Sequence, residues 1–347
     1  MRTLVTGGAG FIGSHLAERL LAEGHEVLAL DDLSTGSEAN VARAAADPRF
    51  RLEVGSLFNA PRVAALIREA DQVVHLAASV GVFQIVESPV RTIETNIRGT
   101  EIVLSNAARL GRPVLLASTS EVYGKSSKVP FSEDDDSVLG PSSKSRWSYA
   151  ASKLVDEFLA LSYFREKGLP TVVVRLFNTV GPRQSGRYGM VLPRFVRQAL
   201  EGGPLTVFGD GAQSRCFAWV GDVVGAIAAL LREPRARGRV FNVGNDREIS
   251  IGDLARLVRD RANPAAKIVH VPYDRAYEEG FEDMRRRVPD LRRIVELIGY
   301  RPSLGIEEIV DRVVEHERGR KESGSGDREA GRGEGEESRT SGADPRV

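Results

Sequence analysis

The chain has 347 residues, 41% of them apolar, enough for one large domain or two moderate ones around a full-sized core. Lysine plus arginine and aspartate plus glutamate number 48 each, so overall charge gives no reason to expect nucleic acid or an anionic membrane as partner. The single cysteine, Cys216, excludes an intrachain disulfide and fits a reducing compartment.

Thr3–Thr6 is the first expected strand. Its Leu4-Val5 run meets Gly7-Gly8 at once, which leaves no room for a signal peptide. No stretch approaches the roughly 20 apolar residues of a membrane span, and a cytoplasmic location is expected. Further strands are expected at Glu26–Leu30, Arg51–Val54, Gln72–Leu76, Val114–Ala117 and Thr171–Leu176, with helices near 11–23, 59–69, 88–110 and 148–167 between them. Ser88-Pro89 reads as an N-cap followed by proline at the first helical position. Strand–helix alternation of this kind means an α/β fold, a doubly wound parallel sheet of six or seven strands covered on both faces. After residue 178 the rhythm loosens. Helical patterns near 190–201, 221–232, 251–262 and 305–318 are separated by Gly- and Pro-rich loops, which suggests a smaller second α/β lobe over 178–318 with some segments returning to the first, 1–177. From Gly319 to Val347 almost no residue is apolar, and a disordered tail is expected there.

Gly7-Gly8-Ala9-Gly10-Phe11-Ile12-Gly13 stands between the first strand and the first helix. Gly7 permits the tight turn, Gly10 lets the backbone approach a pyrophosphate, and Gly13 lets helix and strand pack closely. The helix N-terminus, opened by Phe11 and Ile12, offers free N–H groups and partial positive charge to phosphate. The second strand runs into Asp31, where a carboxylate accepts both hydroxyls of an adenosine ribose and repels a 2′-phosphate. NAD is therefore expected over NADP. Asp32 next door reads equally as a solvated turn residue.

Ser118-Thr119-Ser120-Glu121-Val122-Tyr123-Gly124 follows the fifth strand, at the carboxyl end where ligand crevices form. Tyr149 and Lys153 are one helical turn apart and share a face. A nearby ammonium favours phenolate, which makes Tyr149 a usable base near neutral pH. Thr119 can donate to the same substrate oxygen, and Lys153 can hold the nicotinamide ribose. His75 reads as structural, and Cys216, with no metal-ligand cluster around it, as a lone structural thiol. No metal site is expected. A protein that senses NAD without turnover is the alternative of another class; the presence of Tyr149, Lys153 and Thr119 together argues against it.

Residues 1–316 resemble the extended short-chain dehydrogenase/reductase family of nucleotide-sugar epimerases, dehydratases and decarboxylases. The resemblance rests on Thr6 to Gly13, His75-Leu76-Ala77-Ala78, Tyr149 with Lys153, Arg175-Leu176-Phe177-Asn178 and Gly181-Pro182-Arg183. It departs at Gly55-Ser56-Leu57, where the family has Gly-Asp before an apolar residue, so a familiar adenine contact is missing. The resemblance implies that Leu57, Leu76, Ala77 and Ala78 line the cofactor. It implies that Asn178 and Arg215 bind the diphosphate and that Leu192, Val207 and Phe208 flank the base. It also gives Arg287, two residues before Pro289 and Asp290, a carboxylate-handling or acid role, with Arg285 and Arg286 read as surface charge as readily as ligand. The implied chemistry is redox-neutral: Tyr149 takes the proton from a sugar 4-hydroxyl while hydride passes to a retained NAD. A homodimer packed through the helices near 88–110 and 148–167 is also implied.

Three fates of the 4-keto sugar compete. A 4,6-dehydratase of this family carries Asp-Glu after the threonine; here the pair is Ser120-Glu121, which disfavours dehydration. A 4-epimerase needs no carboxylate at that position. Thr119-Ser120-Glu121, the approach to the tyrosine from Gly140 to Ser148, and Arg287 all match UDP-glucuronate decarboxylases, the UDP-xylose synthase type, while the stretch from Gly186 to Met190 reads as generic epimerase sequence. Decarboxylation of UDP-glucuronate is therefore the leading expectation and 4-epimerisation of a UDP-sugar the runner-up.

Overall fold

The computed structural model describes residues 1–79, 88–186, 190–272 and 284–322. In chain order, β1 (Arg2–Thr6), α1 (Phe11–Ala22), β2 (Glu26–Asp31), α2 (Glu38–Ala45), β3 (Phe50–Val54), α3 (Ala60–Glu69) and β4 (Gln72–His75) alternate strictly. Then come α4 (Pro89–Leu110), β5 (Val114–Thr119), α5 (Trp147–Lys167) and β6 (Thr171–Leu176). The remainder holds β7 (Thr179–Val180), α6 (Val191–Leu200), β8 (Leu205–Phe208), β9 (Ser214–Cys216), β10 (Ala218–Trp219), α7 (Val220–Arg232), β11 (Arg239–Val243), β12 (Glu248–Ser250), α8 (Ile251–Ala262), β13 (Ile268–Val271), α9 (Arg292–Ile298) and α10 (Ile306–Glu322).

Among the described residues, seven strands form one sheet in the order β11-β6-β5-β4-β1-β2-β3. Every pairing in it is parallel. This is the doubly wound sheet expected; its seventh strand, β11, is the late segment that returns to it. Order reverses between β1 and β4, which opens the crevice where ligands bind in such sheets. Successive strand residues face opposite sides. Val5 and Val74 join Leu16, Leu20, Val223 and Ile227 under α1 and α7. Leu4 and Val73 join Leu66, Ile67, Val103 and Leu104 under α3 and α4. A third cluster joins α6, α8 and α10 through Leu192, Phe195, Leu254, Val258, Val310 and Val313.

Three local details refine or add to the expectations. Ser88 is the N-cap of α4 and Pro89 its first residue, but the Ser88 hydroxyl makes no capping hydrogen bond. The short helix α2 went unread because only Val41 and Ala44 are buried on it, too few for an apolar period. The last helix runs through Glu322, beyond Gly319 where the tail was expected to begin. Its last turns are held by polar contacts that an apolar pattern does not reveal: Arg318 donates to the Ala262 carbonyl at 2.9 Å and Lys321 to that of Leu200 at 3.0 Å. Residues 323–347 of the expected tail lie outside the described residues.

A buried ion pair joins β6 to α5. Arg175 on β6 donates to Glu157 on α5 through Nη2 at 2.7 Å and Nε at 3.0 Å, with both side chains buried. Ser118 at the end of β5 donates to the same carboxylate. The guanidinium also lies 4.7 Å from the centre of the Tyr123 ring. Removing one member leaves an uncompensated buried charge. Glu157→Ala is expected to lower stability by about 3–5 kcal/mol in urea unfolding, with Glu157→Gln losing less because it keeps the volume and an acceptor.

Candidate functional site

The glycine loop is built by close approach. Gly7 has φ +70° and donates to the Leu30 carbonyl at 2.8 Å. A Cβ on Gly13 would stand 2.1 Å from the Gly7 carbonyl oxygen, so only glycine lets α1 start so near the end of β1. The first N–H groups of α1 thus open onto a cavity of about 620 Å³, within the range of small-molecule sites. Gly7, Gly10, Phe11, Ile12, Gly13, Asp31, Leu57, Leu76, Ala77 and Ala78 all line it.

Asp31 ends β2 and is nearly buried. It accepts from Ala9 N and from Leu33 N, each at 2.9 Å. Gly10 is a third backbone donor to this carboxylate, and its remaining acceptor capacity suits a ribose hydroxyl. Asp32 instead accepts from Ser34 N at 3.0 Å, a turn contact. Where the family aspartate is missing, Ser56 accepts from Phe58 N at 3.2 Å, and Phe58 lines the cavity with Arg98 5.4 Å from its ring centre. The glycine cradle and the Asp31 carboxylate fit a dinucleotide.

Thr119, Ser120, Glu121, Tyr149 and Lys153 line the same cavity. Thr119 ends β5 and accepts from Glu121 N, which fixes the turn Ser120–Tyr123. Tyr149 stands in the first turn of α5 and Lys153 one turn on. Burial first, then the charge of Glu121, push the Tyr149 phenol up; the Thr119 hydroxyl pulls it down. Lys153 donates to Asp156 at 2.8 Å, and both are buried. His75 uses both ring nitrogens on Thr6 and Thr100, at 2.7 and 3.1 Å, and burial, then Lys153, lowers its pKa to about 3. It is a neutral part of the frame. So is Tyr123, whose hydroxyl donates to Asn242 at 2.7 Å.

Glu121 lies between two cations. Arg146 donates to Oε2, and Arg287 Nη1 approaches Oε1 at 3.5 Å. Burial raises the Glu121 pKa, but Arg146 first and Arg287 second outweigh it and hold it at about 2. Glu121 is an anion at neutral pH in this pocket.

Asn178, Phe208, Arg215 and Arg287 line the cavity as expected, with Asn178 donating to the Cys216 carbonyl at 3.1 Å. Leu192 and Val207 do not: their side chains are fully buried in the third apolar cluster. Met190, Val191 and Arg194 line the cavity there, and the Arg194 guanidinium lies 4.0 Å from the centre of the Phe208 ring. Arg286 pairs with Glu248 at 2.6 Å on the surface. Residues 187–189 of the Gly186–Met190 stretch lie outside the described residues. Burial raises the pKa of the Cys216 thiol to about 12, which leaves it inert.

Sequence reasoning gave no individual role to four residues here. Arg146 pairs with Glu121 on another element, whereas Asp156 stands three residues after Lys153, a spacing that pairs charges on one helix face. That spacing was a legible signal for Asp156. Arg194 had no such signal. Arg183, at φ +68°, donates to Glu18 at 2.8 Å and to the Asn40 carbonyl at 2.7 Å, and its own N–H to His316 at 3.3 Å. It ties the helix of the glycine loop to α10.

Residues 3–244 match the model of the NAD dependent epimerase/dehydratase family. The chain is 41% identical to UDP-N-acetyl-alpha-D-glucosaminuronate decarboxylase of Bacillus cytotoxicus, over 90% of this chain and 97% of that one. It is 36% identical to UDP-glucuronic acid decarboxylase 1 of Xenopus tropicalis, over 91% of this chain and 72% of that one. Among solved structures it resembles UDP-glucuronic acid 4-epimerase from Bacillus cereus in complex with UDP-glucuronic acid and NAD, with a TM-score of 0.83 and 27% identity over 92% of this chain and 99% of that one. The glycine cradle, Asp31 and the paired Tyr149 and Lys153 agree with that kinship: the chain belongs to the NAD dependent epimerase/dehydratase family, and its cofactor is NAD.

Proposed function

We propose that this protein decarboxylates a UDP-hexuronate through a 4-keto intermediate. The observation that carries the reading is the buried cluster of Glu121 with Arg146 and Arg287, which lines the same cavity as Tyr149 and puts guanidinium donors where a C6 carboxylate would be received. The names of the decarboxylase relatives support the same reaction. Tyr149 serves as base for the 4-hydroxyl proton, Thr119 holds O4, and Lys153 supports the phenolate. Bound NAD would supply the acceptor for the C4 hydride and the donor that restores it. Once C4 is a ketone, the sugar is a β-keto acid. The C5–C6 bond breaks, carbon dioxide leaves, its electron pair passes into the C4 carbonyl, and C5 then takes up one proton. Arg215 and Asn178 are the proposed diphosphate ligands, and Phe208 with Arg194 the proposed wall for the base. An alternative, 4-epimerisation, is favoured by the likeness to the 4-epimerase that binds UDP-glucuronic acid.

The reading extends to a homodimer. Val90 and Ile93 on α4 and Val155 and Phe158 on α5 are exposed at 69%, 39%, 40% and 61%, an apolar face that a second copy would cover. A cytoplasmic location is part of the proposal. It rests on the lone buried thiol. Among the described residues no helix is long and apolar enough to cross a membrane.

Incubation with UDP-glucuronate and with UDP-N-acetylglucosaminuronate, followed by NMR, is expected to show carbon dioxide and a UDP-pentose or its 4-keto precursor from at least one. An epimer that keeps all six sugar carbons would overturn the reading. Tyr149→Phe is expected to cost about 10²–10⁴-fold in turnover while NAD stays bound.

The pH profile gives a separate test. Asp156 is an anion near Tyr149 and adds to the upward push on its pKa. Activity rises with pH as the base ionises, so an upward push moves the acid limb to higher pH. Asp156→Asn removes that charge, and the acid limb of kcat/KM is expected to move to lower pH. A limb that stays in place or moves up contradicts this account.

A further inference from the structure

We propose that the adenine end of the cofactor site reads a purine by stacking on Phe58 and through the Ser56 hydroxyl, which can either donate or accept. A dinucleotide with a 6-keto purine is then held as well as one with the 6-amino group of adenine. NAD with Asp31 at its ribose is the premise, and the reaction at the sugar plays no part in it.

The end of β3 stands beside the ribose carboxylate. β2 and β3 pair in parallel with Asp31 opposite Val54, and Gly55 N donates to the Asp31 carbonyl at 2.9 Å. A base attached to a ribose held by Asp31 therefore lies next to the turn that follows. Asn59 N closes that turn onto the Ser56 carbonyl at 3.1 Å, and Asn59 caps α3 by accepting from Arg62 N at 3.2 Å. Leu57, in the middle of the turn, is buried against α4, where a Cβ on Gly99 would stand 3.1 Å from its Cδ1. With Leu57 turned inward, Ser56 and Phe58 on either side of it are exposed, and both line the cavity. Phe58 is 42% exposed, and Arg98 from α4 lies 5.4 Å from its ring centre. An aromatic ring braced in this way on a cavity wall offers a base a flat apolar surface.

The edge of the base meets a different group. An ionised carboxylate only accepts, so it selects a purine that carries an amino group. Among the described residues, the carboxylates on the cavity wall are Asp31, Asp32 and Glu121. Asp31 is the ribose ligand. Asp32 accepts from the Ser34 N–H and from the Ser34 hydroxyl, at 3.0 and 2.6 Å. Glu121 is paired with Arg146 and Arg287. Beside the base stands the Ser56 hydroxyl instead. It accepts from Phe58 N at 3.2 Å and keeps its proton and a further lone pair. It can therefore accept from a 6-amino group or donate to a 6-keto oxygen. Stacking does not separate the two, because each is a flat purine.

The test is exchange on the NAD-loaded protein. It is equilibrated with an equimolar excess of isotope-labelled NAD and nicotinamide hypoxanthine dinucleotide, which carries a 6-keto purine. The protein is then washed and denatured, and the two newly bound dinucleotides are quantified by chromatography. The parent is expected to hold them within about threefold of each other. Ser56→Asp puts an acceptor-only group beside the base and is expected to shift the ratio toward NAD by at least about tenfold. NAD is expected to leave Phe58→Ala about fivefold or more faster than the parent, and to leave Phe58→Tyr, which keeps the ring, at the parent rate. A stronger preference for NAD in the parent overturns the proposal. A ratio that Ser56→Asp leaves unchanged overturns it too, as does parental NAD release from Phe58→Ala. Each of these results leaves the hexuronate reading standing, because none of them measures the sugar.

Discussion

The buried pair of Arg175 and Glu157 is the contact on which the site depends. It sits one turn beyond Lys153 on α5 and fastens that helix to β6, while Ser118 fastens it to β5. The pair therefore anchors α5, which carries Tyr149, against the sheet strand β5 that carries Thr119 and its neighbour β6. A charge pair of this kind adds little net stability over an apolar substitute. Its value lies in direction: two side chains with fixed forks hold a helix in one register along the sheet, where apolar packing alone tolerates sliding. The Tyr123 ring under the guanidinium and the Asn242 acceptor beyond it extend the same constraint to β11.

At the other end of α5 the same economy recurs with a different result. Arg146 and Glu121 form a second ion pair across the gap between β5 and α5, but this one faces the cavity. One pair is closed by its surroundings and frames the site. The other lines the cavity. Two similar ion pairs, at Arg146 and at Glu157 on the same helix region, thus stand in different surroundings.

Much of this was legible in the sequence because its signals are local. Gly7 to Gly13 encode a turn, a helix start and a close approach within one short window, and the structure shows each. Tyr149 and Lys153 lie on one turn of one helix, so spacing alone puts them together. The failures share a cause as well. Leu192 and Val207 were placed at the ligand by resemblance to segments that flank the base, but an apolar residue beside a cavity faces either the ligand or the core, and both face the core. Arg146 was read only as part of the stretch from Gly140 to Ser148, without a role of its own; Glu121 stands twenty-five residues earlier, and only tertiary structure joins them. The final helix was cut short because polar side chains, not apolar ones, hold its end.

The late position of β11 has a consequence for the birth of the molecule on the ribosome. Proteins emerge N-terminus first and tend to fold in that order. When the chain has been made as far as Asn178, the glycine loop, Asp31, Tyr149 and Lys153 all exist, yet β6 is an open edge, since its neighbour β11 comes sixty residues later. An unpaired β6 of sequence Thr-Val-Val-Val-Arg-Leu is a sticky template for other nascent chains. Arg175 in its midst, and the early capture of that arginine by Glu157, place a charge in the one stretch where a half-made copy is most exposed to pairing with its neighbours on a polysome.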